Sequence, residues 1–224
     1  MSLHLLIGNK NYSSWSFRPW LAMKVAGIKF EETVISLDAG DFKMRVTALG
    51  GPGRVPVLSD GDVRVWESLA ILEYLAEKFP AAGLWPQQPV ARAHARAIAS
   101  EIHAGFVSLR NHLPMNVARP VIFRALDPGS AKDVTRIDAI WTECRNTYGG
   151  SGPFLFGAFG AADAMFAPVV WRLHTYAVEV SATALDYMRA MMALPAWQQW
   201  RDAARREDWV LPYDEVDWPQ VLRE

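Results

Sequence analysis

The sequence predicts a small α/β domain followed by a larger all-helical one. Three observations carry this expectation. Strand-like and helical runs alternate over residues 1–80, a proline-rich stretch (PAAGLWPQQP) follows at 80–89, and strand alternation is absent from there on. The 224-residue length suits that division, since about 150 residues make an ordinary domain.

Residues 3–7 form a compact apolar strand stopped by Gly8 and Asn9. Residues 16–26 read as a helix with Ser16 as N-cap, Pro19 in its first turn and Gly27 beyond its end. A second strand spans 30–35 and a short helix 41–49. Strands at 55–58 and 63–66 flank the turn Ser59-Asp60-Gly61-Asp62, a hairpin signal. Residues 68–79 are helical, with Leu69, Leu72 and Leu75 on one face and Pro80 past the end. The order β-α-β-α-β-β-α gives a four-stranded mixed sheet, a thioredoxin-like arrangement. Residues 81–89 read as a linker. In 90–224, Ile98, Ile102, Gly105, Phe106 and Leu109 mark one long helix, and further helices lie near 130–148, 162–178, 182–193 and 195–205. The tail from 208 is expected to be irregular and packed by Trp209 and Trp218.

Composition narrows the function. With 23 Lys+Arg against 24 Asp+Glu, the formal charge of −1 gives no general reason to bind nucleic acid or an anionic membrane. The uncharged stretch 146–162 carries five glycines and Pro153, so it reads as a loop feeding a buried helix rather than a membrane span. The N-terminus lacks the basic start and cleavage pattern of a signal peptide, so a cytoplasmic protein is expected. A lone cysteine, Cys144, excludes an intrachain disulfide, a CxxC pair and multi-cysteine metal sites. His94, His103 and His112 recur every nine residues, which turns successive ones to opposite sides of a helix, and no metal site is expected. GxSxG, GxGxxG and GxxxxGK[ST] are all missing.

Three short motifs remain. Ser13-Ser14-Trp15-Ser16 crowds hydroxyls at the junction of the first strand and first helix, where one would serve as a cap and another can face an anion. Arg54-Val55-Pro56-Val57-Leu58 puts a proline at a strand start, where it cannot donate a ladder bond; a cis Val55–Pro56 bond would turn the Val55 backbone outward as a free edge. In Trp66-Glu67-Ser68, Ser68 and the first free amides of a helix can hold a carboxylate, and Glu67 an ammonium. Each is also an ordinary helix start or strand end.

Together, in this order and spacing, the three motifs resemble the glutathione S-transferase family, and the resemblance covers nearly the whole chain. Gly160-Ala161-Ala162-Asp163 is similar to the family's S/T-x-x-D capping box, with glycine in place of the hydroxyl. The serine run looks most like the zeta class, which includes maleylacetoacetate isomerases and carries Ser-Ser-Cys there; here Trp15 replaces the cysteine.

The resemblance implies a glutathione-binding domain at 1–80, a helical domain at 90–224, and glutathione as co-substrate without a metal. Ser13 would stabilise the thiolate, with Ser14 as rival. Val55 would pair with the cysteinyl backbone, Pro56 fixing that geometry, and Glu67 and Ser68 would hold the γ-glutamyl group. Lys43 or Arg54 would meet the glycyl carboxylate. Phe106, Arg110, Pro114 and Met115 would face a small electrophile, although Phe106 also lies on the apolar stripe. The family also implies a homodimer. Three readings follow: conjugation of electrophiles, zeta-like isomerisation of a cis-diacid, and a non-catalytic binding module of the same fold.

Overall fold

A computed structural model of the chain describes residues 2–224. The first part holds β1 (Leu3–Ile7), α1 (Ser14–Val25), β2 (Phe30–Val34), α2 (Phe42–Ala48), β3 (Val57–Asp60), β4 (Val63–Trp66) and α3 (Ser68–Lys78). The sheet order is β2-β1-β3-β4, with β1 parallel to β2 and antiparallel to β3. β3 and β4 form the expected hairpin, but β3 starts two residues later than expected. Ser59 and Asp60 pair with Arg64 and Val63, leaving Gly61-Asp62 as the turn, with Gly61 at φ +58°, a value glycine adopts without steric cost. The mixed α/β sheet of the thioredoxin-like reading is therefore present.

Strand alternation divides the core. Leu3, Leu5, Ile7 and Leu58 join the main hydrophobic cluster, whereas Leu6 and Val57 turn to the opposite face and pack with Ile35 and Val46 of α2.

The helical part comprises α4 (Pro89–Ala104), α5 (Val107–His112), α6 (Pro128–Tyr148), α7 (Ala161–Thr175), α8 (Ala182–Met192) and α9 (Pro195–Ala204). Both parts share one core. Phe17 of α1 meets the Trp197 ring at 5.1 Å, and Trp197 stacks on Trp171 at 4.6 Å. Trp20 packs edge-on against Trp200 at 5.0 Å. Much of the tryptophan excess thus forms the seam that fixes α1 against α7 and α9.

Several expectations change. α1 starts at Ser14, so Ser16 lies inside the helix, fully buried, and its hydroxyl receives the Gly8 amide at 3.1 Å instead of capping. Pro19 therefore falls in the second turn, where it leaves the Trp15 carbonyl without its helical donor. The long helix expected through 98–109 is broken: Gly105 ends α4 and Phe106, at φ +61°, starts α5. The apolar stripe continues across the break because the kink keeps Leu109 buried. In the tail, Trp209 and Trp218 are exposed at 43% and 53%, so they do not pack it. Polar bonds do: Tyr12 to Glu215 at 2.5 Å, Arg119 to Asp217, and the Glu224 amide to the Ala118 carbonyl at 2.8 Å.

Candidate functional site

The loop after β1 descends into α1 with Ser13 at the cap position and Ser14 as the first helical residue. Gly8 eases this approach, since a β-carbon there would sit 3.1 Å from the Ser13 β-carbon and would also crowd the Leu37 side chain. The Ser13 hydroxyl lies 2.7 Å from that of Ser16, which holds the Gly8 amide. The Ser14 hydroxyl enters no hydrogen bond among the described residues, and both serines are buried at the wall of a cavity of about 400 Å³. Arg110, Met115 and Arg172 also line it, with Tyr213 and Asp214 of the tail.

A second cavity, about 180 Å³, adjoins the first through Trp15, Arg54 and Val55, which line both. Pro56, Trp66, Glu67 and Ser68 complete it. The Val55–Pro56 bond is cis, and the sheet ladder begins only at Val57, so the Val55 backbone stays outside the sheet. Glu67 occupies the cap position of α3 at φ +66°, an uncommon conformation for a side-chain-bearing residue that sets its carboxylate at the helix N-terminus. Ser68 differs from expectation. Its hydroxyl is fully buried, receives Arg18 Nη1 at 3.3 Å and faces Met165 Sδ at 3.8 Å, so its amide rather than its hydroxyl remains for a ligand.

Of the remaining candidates, Lys43 is exposed on α2 and lines neither cavity. Phe106 is 8% exposed within the core, and buried Pro114 accepts the Tyr176 hydroxyl through its carbonyl at 3.0 Å; neither reaches the cleft. Arg110 does, held at its far side by the Ile102 and Gly105 carbonyls.

Sequence reasoning missed the cluster at the junction of the cavities. Trp15 is sandwiched between Arg18, at 4.2 Å from its ring centre, and Arg110, at 4.8 Å, with the His103 ring edge-on at 5.3 Å. Arg18 is fully buried, and its Nε and Nη2 have no hydrogen-bond partner among the described residues. Burial first, then the Arg110 and Arg172 charges, push its pKa well below the usual value. Burial lowers His103 likewise, with Arg18 adding to it. Arg172, also buried, is lowered to about 10 and binds the Arg110 and Leu113 carbonyls, fixing the end of α5. Trp15 stood in the quoted serine motif, but nothing in the sequence tied Arg172, Tyr213 or Asp214 to it. No group of three or more metal-ligating side chains is assembled among the described residues.

The arrangement suits a small thiol peptide: hydroxyls at a helix N-terminus, a free backbone edge, and an acid beside a second helix start. Comparison with known proteins agrees with the fold. Residues 12–78 match the family described as glutathione S-transferase, N-terminal domain, and residues 92–203 its C-terminal domain. Maleylacetoacetate isomerase of Rattus norvegicus is 32% identical over 193 residues, 83% of this chain and 87% of that protein. A probable maleylacetoacetate isomerase of Caenorhabditis elegans is 36% identical over 100 residues, 44% of this chain and 46% of that protein. In fold, the chain is similar to the theta class glutathione S-transferase of Xanthomonas axonopodis pv. citri, solved with glutathione bound. That likeness has a TM-score of 0.65 at 21% identity, covering 88% of this chain and 96% of that one. The chain belongs to the glutathione S-transferase family.

Proposed function

We propose that the protein binds glutathione across the two joined cavities and holds its thiolate with a serine hydroxyl for attack on small electrophiles. The observation that carries this reading is the convergence on one cleft of Ser13 and Ser14, the Val55 backbone outside the sheet, and Glu67 with the Ser68 amide. The γ-glutamyl ammonium would meet Glu67, the carboxylate the Ser68 amide at the start of α3, and the glycyl carboxylate Arg54. Lys43 lines neither cavity, but its side chain lies beside Gly53 of the larger one, and it is the second candidate for that last role.

A free thiol has a pKa near 8.5, so only a few per cent ionises at pH 7. A hydrogen bond to a charged acceptor is worth roughly 1.5–3 kcal/mol, or about one to two pKa units. The N-terminal end of α1 acts in the same direction. Thiolate then becomes the major species at neutral pH. Ser13 donates to the Ser16 hydroxyl in the unliganded protein. In this reading its proton turns to the sulfur when glutathione binds and Ser16 donates back to it, with Ser14 as the rival donor.

A second reading is glutathione-dependent isomerisation of a cis-diacid, supported by the relatives named maleylacetoacetate isomerase and by Arg54, Arg110 and Arg172 along the cleft. Retention of the three motifs speaks against the non-catalytic module, which has no use for them. A homodimer is the expected assembly on family grounds. The test is direct. Glutathione should raise the melting temperature, and Ser13→Ala should retain binding while losing the thiolate absorbance. No binding at millimolar glutathione sinks both enzymatic readings, and assays of an aromatic electrophile beside a cis-diacid separate them.

A further inference from the structure

The larger cavity contains one carboxyl group among its lining residues, Asp214, and no histidine. Asp214 ends a short 3-10 turn, Pro212–Asp214, by which the tail lines the same cavity as the two serines. The turn is anchored on both sides. Leu211 is fully buried, and Glu215 binds the Tyr12 hydroxyl at 2.5 Å. The Asp214 carboxyl forms no ion pair within 4.0 Å among the described residues, so it is free to act. The groups around it are Arg172 from α7, Arg110 from α5, Arg54 ahead of β3, Tyr12 ahead of α1, and Tyr213 and Glu215 beside it.

None of the other cavity-lining groups can exchange a proton near neutrality. The arginines have no acceptor capacity and remain charged. The Tyr12 and Tyr213 phenols are held protonated, both chiefly by burial, with Glu215 adding to Tyr12 and Asp214 to Tyr213. Serine hydroxyls donate hydrogen bonds but do not take up the thiol proton. Resting on the glutathione reading above, we propose that Asp214 is the proton acceptor for the bound thiol and later returns that proton to the product.

The chemistry balances without a further reactant. The S–H bond breaks, its electron pair stays on sulfur, and an O–H bond forms on the Asp214 carboxylate. The thiolate then forms its bond to carbon, and the proton passes from Asp214 to the resulting carbanion or the departing group. A neutral carboxyl beside the thiolate also avoids two like charges in a half-enclosed site. Burial pushes Asp214 up to about 6, against the opposing pull of Arg172, which suits an acceptor working near neutral pH.

Calorimetry of glutathione binding at pH 7, in buffers of different ionisation enthalpy, counts the protons released. The wild-type protein is expected to release well under one proton per glutathione, and Asp214→Asn close to one. Asp214→Asn should also lower kcat/KM for conjugation at least tenfold with the glutathione Kd changed less than threefold, and Asp214→Glu should recover most of both. Binding with an unchanged proton count in Asp214→Asn overturns the role of Asp214 alone. No binding heat in the wild-type protein overturns the glutathione reading and this role with it.

Discussion

The Ser13 and Ser16 hydroxyls stand 2.7 Å apart across the first turn of α1, and Ser16 in turn accepts the Gly8 amide at 3.1 Å. Ser16 accepts from both Gly8 and Ser13 in the unliganded protein. Once Ser13 turns its proton to bound sulfur and Ser16 donates back, as proposed above, a backbone donor leads through two hydroxyls to the cleft. Such chains polarise one another, by roughly 10–30% per bond. Applied to a charged hydrogen bond of about 2 kcal/mol, Ser16 adds about 0.2–0.6 kcal/mol, or about 0.1–0.4 pKa units.

Ser16→Ala should therefore raise the pKa of bound glutathione by about 0.1–0.4 units, against about one to two for Ser13→Ala. The thiolate absorbance titrated against pH measures both. Because Ser16→Ala also strands the buried Gly8 amide, it should destabilise the fold by about 1–3 kcal/mol. Equal pKa shifts in the two variants would remove the distinction between donor and support.

Asp163 makes the fold pH-sensitive in an unusual sense. It is buried, takes the Gly160 amide at 2.8 Å and the Leu155 amide at 3.1 Å, and burial pushes its pKa from 3.8 up to about 6. Between those values the native state binds more protons than the unfolded chain, so this group's contribution falls as pH rises from about 4 to about 6. Asp163→Asn cannot titrate. The melting-temperature advantage of wild type over Asp163→Asn should be larger at pH 4.5 than at pH 7; a constant difference would show an ordinary carboxyl.

Local patterns reveal the sheet and most helices because they depend on neighbours in sequence. Leu5 and Leu6 turn to opposite faces by strand geometry alone, and Val55-Pro56 marks its own departure from the ladder. The break at Gly105 and Phe106 was invisible because Leu109 keeps helical spacing on both sides of it. The cleft was legible only on one wall. Ser13, Val55 and Glu67 sit in short recognisable motifs, whereas Asp214 reaches the site through a tail bound by Tyr12, about 200 residues earlier. Arg18 shows the same limit: it lay beside the serines in sequence, but only the tertiary fold reveals that it is buried against Ser68 and Trp15.

The tail wall depends on Tyr12. Its hydroxyl donates to Glu215, which is 5% exposed, and accepts Arg223 Nη2 at 3.3 Å. Tyr12→Phe leaves the Glu215 carboxylate without that donor, at a cost of about 1–3 kcal/mol. Release of the tail displaces Tyr213 and Asp214 but not the Val55 and Glu67 side of the site. The kcat/KM for the electrophile should fall about tenfold, as expected for Asp214→Asn, while the glutathione Kd stays within about twofold. Faster proteolytic cutting beyond Arg205 should accompany it; a rise in the glutathione Kd instead would place the tail on the other cavity.

Trp15 joins the two parts of the molecule. Arg18 lies on its own helix, but Arg110 belongs to α5 and His103 to α4. Each cation–ring contact is worth about 0.5–2 kcal/mol, and more where the cation is desolvated, as Arg18 is. Trp15→Cys restores the residue of the zeta-like pattern but removes both contacts and the ring's packing. It should cost about 2–4 kcal/mol, and for a chain of this size each kcal/mol lowers Tm by about 2–4 °C, giving a fall of about 4–16 °C. Part of that cost comes from leaving the Arg18 charge buried without its aromatic face. Adding Arg18→Met to Trp15→Cys should therefore recover some of the lost Tm, a coupling that simple loss of packing would not produce. Additive losses in the double variant would mean that the ring fills space and does not stabilise the charge.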